Sequence, residues 1–194
     1  MTFLAQPRAY KPEELPAFLA SKKWSGWRPQ FVTLHNTAAP TLKQWLDPAH
    51  TAQQRIEGQR HYERDILHWH SGVHFFVAPD VIWNLCDVTQ DGVHCSCFNH
   101  ISFGVEMIGD YSAEAFDKGD GAKVRDNAVV LLAALHNRFG WHPDPLIHGV
   151  AGLHFHKMCK RDHHDCPGKN VDRADIVARV FAEMKRQAGK PAVP

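Results

Sequence analysis

The chain has 194 residues, 44% hydrophobic and 22% charged, enough apolar side chain for one ordinary core. Its 22 Lys and Arg against 21 Asp and Glu leave a net charge of +1, which gives no electrostatic case for nucleic acid or an anionic membrane as partner. No stretch approaches the ~18 apolar residues of a membrane span, and the first residues lack a basic segment followed by an apolar run. The expectation is a soluble monomer made in the cytoplasm without a signal peptide.

Residues 1–30 are polar and proline-rich around a short helix at 12–21, and read as an N-terminal extension packing on a domain of residues 31–188. The run Phe31-Val32-Thr33-Leu34-His35 reads as a strand, and Asn36-Thr37 can cap the next element. A short helix is expected at 41–46, stopped by Asp47-Pro48. Residues 51–69 are polar with sparse apolar positions, and read as a solvent-facing helix. Residues 73–78 alternate, Pro79-Asp80 is a turn signal, and 81–86 is the partner strand of a hairpin.

Residues 102–108 form another expected strand. Phe103, Val105 and Met107 share one face; Ser102, Gly104, Glu106 and Ile108 share the other. The clearest helix is 122–139, where Val124, Ala128, Leu131, Leu132, Leu135 and Phe139 make one stripe and Gly140 comes next as a stop. A short apolar patch, Leu146-Ile147, precedes a histidine-rich loop. A last helix is expected at 172–187, and 189–194 read as a frayed tail. Interleaved strands and helices predict the α/β class: a single domain with a central mixed β-sheet flanked by helices.

The five cysteines, Cys86, Cys95, Cys97, Cys159 and Cys166, are odd in number in a chain that is not small. Thiols rather than a disulfide framework are expected, and Cys95 and Cys97 are too close along a strand to bridge each other. Residues 154–170 hold four histidines and two cysteines, ending in Cys166-Pro167-Gly168. His156 and Cys166 suit two legs of a zinc site, with Cys166 bound as thiolate. His35, ending its apolar strand, is the candidate third leg, which leaves one position for water. His148 and His154 compete with His156, and spacing does not choose among them. A fourth protein ligand, such as His154 or Cys159, would instead make the site structural. Glu106 sits inside an apolar strand, where a carboxylate needs a partner or a task such as general-base work on a water; the plain alternative is a solvated edge-strand residue. His74 in its strand, His94 in a turn and His163 in the loop are each more often structural or surface histidines.

Four segments resemble the zinc amidase family that cuts N-acetylmuramoyl-L-alanine bonds in peptidoglycan, whose fold also serves phage lysozyme-type amidases and peptidoglycan recognition proteins. They are residues 32–37, residues 72–77, the stretch from His94 through Asn99 to Glu106, and the His164-Asp165-Cys166-Pro167-Gly168 loop end. The resemblance implies His35, His156 and Cys166 as ligands of Zn2+, with the family's ten-residue ligand spacing favouring His156. It implies Glu106 and His164 as catalytic residues, His74, His94 and Asn99 as substrate-binding residues, and peptidoglycan or muropeptide as substrate. An amidase acting as a phage or prophage endolysin is the expectation; a recognition module or a muropeptide-recycling amidase is the alternative. This sequence departs from the family in having His164 where lysine is usual, and Val73 where some phage enzymes have tyrosine.

Overall fold

The computed structural model describes residues 2–144, 152–162 and 165–189. Its strands are β1 (Phe3–Tyr10), β2 (Phe31–Asn36), β3 (Phe75–Val77), β4 (Ile82–Cys86), β5 (Ser102–Met107) and β6 (Leu153–Phe155). They form one mixed sheet in the order β1-β4-β3-β5-β2-β6. β2 runs parallel to both neighbours, pairing His35 with Glu106 on β5 and Leu34 with Phe155 on β6. β5 is also parallel to β3, whereas β3, β4 and β1 pair antiparallel. The C-terminal ends of β2, β5 and β6 therefore emerge at one edge, where open α/β sheets bind ligands.

The helices are α1 (Leu15–Ala20), α2 (Leu42–Trp45), α3 (Ala52–His61), α4 (Gly119–Phe139) and α5 (Arg173–Ala188). The expected stripe on α4 is buried from Val124 to Leu135, and α4 packs on α5, α1 and the sheet. Gly140 closes it in the left-handed region at φ 69°, its N–H reaching the His136 carbonyl. Threonine caps start two helices. The Thr41 and Thr51 hydroxyls accept from Gln44 and Gln54 N–H, each at 3.2 Å. Thr41 thus takes the capping part expected of Asn36-Thr37. Among the described residues no helix is long and apolar enough to cross a membrane.

Four expectations need correction. Residues 1–30 do not merely pack on the domain, because β1 adds an edge strand to the sheet through β4. Pro7 and polar neighbours hid it, and such residues are tolerated at a sheet edge with irregular register. β6 was hidden inside the histidine-rich loop. The segment 51–69 is not a solvent-facing helix throughout: after α3 the backbone widens into a π-helical turn, Tyr62–Ile66, and buries Glu63. Finally, Cys97 and Cys159 form a disulfide across 62 residues, leaving Cys86, Cys95 and Cys166 as thiols. Folding brings the turn after His94 against the turn after β6, which cysteine spacing could not reveal. Leu146-Ile147, His148, His163, His164 and residues 190–194 lie outside the described residues.

Candidate metal centre

His35 sits near the end of β2, and His156 opens a 3-10 turn directly after β6. Parallel pairing of those strands sets the two imidazoles side by side, with Nδ1 atoms 3.1 Å apart. Cys166 Sγ lies 3.8 Å from His35 Nδ1 and accepts the Asn36 backbone N–H at 3.3 Å. Burial pushes the Cys166 thiol up to about 12. The three donor atoms lie within 4.8 Å of one another.

The surrounding hydrogen bonds assign the tautomers. The Ser102 carbonyl can only accept, so His94 Nε2–H donates to it at 3.2 Å and His94 Nδ1 carries the lone pair. His35 Nε2–H therefore donates to His94 Nδ1 at 3.0 Å, and His35 Nδ1 is unprotonated in the neutral ring. On the other side His156 Nε2–H donates to Asp162 Oδ2 at 2.9 Å, which leaves Nδ1 as its lone-pair nitrogen too. Two imidazole lone pairs and a sulfur thus converge on one point. Tetrahedral zinc bonds to nitrogen and sulfur would space such atoms by roughly 3.3 and 3.6 Å, close to what is found. These three donors, of the described residues, fit the nitrogen and sulfur preference of one zinc ion.

Glu106 pairs with His35 across β2 and β5, half-buried, and faces the same cleft of about 760 Å³. Burial, and then the charge of Glu63, push its carboxyl well above the usual range. The solvated edge-strand reading is corrected: β5 lies between β3 and β2, inside the sheet.

The other expected residues take different places. His94 borders the cleft and supports His35. It rests on Gly104, where a Cβ would come within 2.6 Å of the ring. Asn99 Oδ1 accepts the N–H groups of His94 and Cys95 at 2.8 and 2.7 Å, so it builds the turn that holds His94. His74 is fully buried, stacked on Trp27, and accepts from Gly104 N–H while donating to the Gln90 carbonyl. Both ring nitrogens are engaged away from the cleft, so direct contact with a ligand is not available to it there. His154 lies two residues back along β6, stacked on Phe31 with ring centroids 4.1 Å apart, away from the three donors. Cys159 is held in the disulfide. Neither supplies a fourth ligand.

The residue missed from sequence is Glu63. It lines the cleft from the π-helical turn and is 2% exposed; the Val73 amide faces its carboxylate, and among the described residues its Oε2 has no hydrogen-bond partner of good geometry. Gln59 reaches its Oε1 at 3.4 Å. Gly72 makes the room, since a Cβ there would lie 1.9 Å from Oε2. Burial raises the Glu63 carboxyl to about 8. The folded state therefore binds more protons than the unfolded chain between about pH 4.5 and 8, and stability should fall as pH rises through that window. Glu63→Gln should flatten this decline and be the more stable protein at pH 8, by on the order of a few kcal/mol. Parallel denaturant titrations of both proteins at pH 5 and 8 check it; an equal pH dependence would show that Glu63 is charged in the fold.

A mixed sheet with two imidazoles, one thiol and a carboxylate meeting at the ends of parallel strands defines the class: an α/β domain carrying a donor set suited to a single metal ion. The chain belongs to the N-acetylmuramoyl-L-alanine amidase family, whose model matches residues 25–169. Among solved structures it is similar to an endolysin amidase of Clostridium intestinale (19% identity, 83% of this chain and 92% of that one, TM-score 0.55). It is also similar to the endolysin of Thermus scotoductus bacteriophage Ph2119 (20%, 86% and 96%, TM-score 0.55) and to Drosophila PGRP-LB (19%, 89% and 88%, TM-score 0.56). No curated protein sequence matches the chain.

Proposed function

We propose that this chain is a zinc-dependent amidase that hydrolyses the bond between the lactyl group of N-acetylmuramic acid and the L-alanine of the stem peptide. The observation that carries this reading is the meeting of His35 Nδ1, His156 Nδ1 and Cys166 Sγ beside Glu106, within the stretch matched by the family. Zinc held by those three residues would supply Lewis acidity toward the scissile carbonyl and toward water. Glu106 would act as the carboxylate, its proton affinity raised by its surroundings: it takes the proton of the attacking water and returns it to the leaving amine nitrogen. His164, outside the described residues, would donate a hydrogen bond to the developing oxyanion from the position where the family usually has lysine. His94 bounds the substrate cleft, with Asn99 and His74 acting from behind it.

A phage or prophage endolysin acting on polymeric wall is the preferred setting, supported by the likeness to two endolysin structures. The intact third ligand and Glu106 speak against a recognition module that binds without cutting. Incubating the zinc-loaded protein with insoluble peptidoglycan and with soluble N-acetylmuramoyl-peptide, and counting new L-alanine amino termini, tests the proposal. Termini are expected from the polymer. Termini from the soluble fragment alone would move the protein to muropeptide recycling, and binding without new termini would make it a recognition module.

A further inference from the structure

Both histidines of the donor set lean on one turn, the segment from His94 to Asn99. His35 reaches it directly, donating from Nε2 to His94. His156 reaches it through Asp162, which accepts the His156 Nε2–H on Oδ2. Asp162 is in turn gripped by Ser96. The Ser96 backbone N–H donates to Oδ2 at 3.1 Å, and the Ser96 hydroxyl donates to Oδ1. Ser96 sits between Cys95 and Cys97, and Cys97 is bonded to Cys159, midway between His156 and Asp162. The side chains of His156 and Asp162 are 11% and 19% exposed, so their hydrogen bond is largely shielded from water.

Among the described residues between His156 and Cys166, the backbone hydrogen bonds are local ones. Cys159 N–H reaches the His156 carbonyl, Asp162 N–H the Cys159 carbonyl, and Lys157 N–H the Cys166 carbonyl. Such short-range bonds shape a turn but do not anchor it to the rest of the protein. The Ser96–Asp162 contacts and the disulfide do, across 66 and 62 residues of sequence. A cross-link of that span removes much of the freedom that a loop must otherwise lose when it orders around a ligand.

We propose that Asp162 is the positioning residue for His156, and that the Cys97–Cys159 bridge acts through Asp162, so that how tightly this protein keeps its metal depends on the bridge. The inference rests on the reading that His35, His156 and Cys166 hold zinc. A carboxylate behind a ligating imidazole fixes its tautomer and ring orientation and makes the ring a stronger donor, an effect commonly about 10–100-fold in metal affinity. The disulfide keeps Ser96 facing Asp162, and so keeps that carboxylate behind the ring. The same turn supports His35 through His94, which concentrates control of two ligands in six residues.

The test is zinc affinity by chelator competition, with the visible spectrum of the cobalt-substituted protein as a second readout of ligand geometry. Wild type, Asp162→Ala, Asp162→Asn, the double variant Cys97→Ser/Cys159→Ser, and the triple variant adding Asp162→Ala are compared. Asp162→Ala should weaken zinc binding by about 10–100-fold and alter the cobalt bands, and Asp162→Asn, which keeps an acceptor oxygen, should recover part of both. The double serine variant should also bind zinc more weakly. Because the bridge acts through Asp162, the triple variant should be no worse than Asp162→Ala alone. Unchanged affinity and spectrum in Asp162→Ala would overturn the positioning role. Fully additive losses in the triple variant would overturn the link between bridge and carboxylate. Wild-type protein that takes up no zinc would instead refute the underlying assignment of the ligands, an outcome separate from either.

Discussion

Glu106→Gln is expected to fold, to keep its zinc and to lose about 10²–10⁴-fold in turnover, the usual worth of a positioned acid–base group. Glu106 stands in register with His35 across β2 and β5, so the strand pairing fixes its carboxyl beside the proposed ligand. Gln preserves the shape and can neither take nor return a proton at that atom. The loss should fall mainly on kcat, since the side chain has little to do with ground-state binding of a peptide that extends beyond it. Steady-state kinetics on a soluble muramoyl-peptide, with zinc content measured on the same sample, give the answer. Near-wild-type turnover would return Glu106 to a structural carboxylate made necessary by its neighbours.

Cys166→Ala is expected to lose zinc and with it the activity, by more than the roughly 10–100-fold that a supporting hydrogen bond behind a ligand is worth. The fold should survive, because among the described residues the sulfur's hydrogen-bond contacts are the Asn36 backbone N–H and His35 Nδ1, neither of which holds an element of the sheet in place. Cys166→Asp puts an anionic oxygen donor at the same place, and should recover metal and part of the turnover. Metal analysis after dialysis, with circular dichroism to confirm the fold, separates the cases. Full zinc occupancy in Cys166→Ala would remove Cys166 from the ligand set and leave its burial without a chemical reason.

Several parts of this molecule were legible because they depend on short-range pattern. β2 is a continuous apolar and β-branched run, β5 and α4 each carry an apolar period matched to one geometry, and α4 differs from its expected span only at its start, by three residues. Glu106 stood out because a carboxylate inside an apolar strand is costly unless it is used. The helix-like polarity of residues 51–69 was also real, as α3 confirms, but polarity says nothing about which residue a π-helical turn rotates inward. Glu63 is therefore invisible in one dimension: it becomes a cleft residue only because Gly72 on a neighbouring segment leaves room for it.

By itself the sequence determined the α/β class, the strand that carries His35, the strand that carries Glu106, and Cys166 as a candidate donor. Each comes from local periodicity or from the chemistry of a single side chain. Only the tertiary structure set His156 rather than His154 beside His35. Residues two apart on a strand share a face but sit roughly 7 Å apart along it, enough to leave His154 against Phe31 and bring His156 to the strand end. The tertiary structure also decided the edge strand β1, the Cys97–Cys159 bridge and the Asp162 carboxylate behind His156, because each exists only where segments distant in sequence come into contact, and no periodicity encodes that meeting.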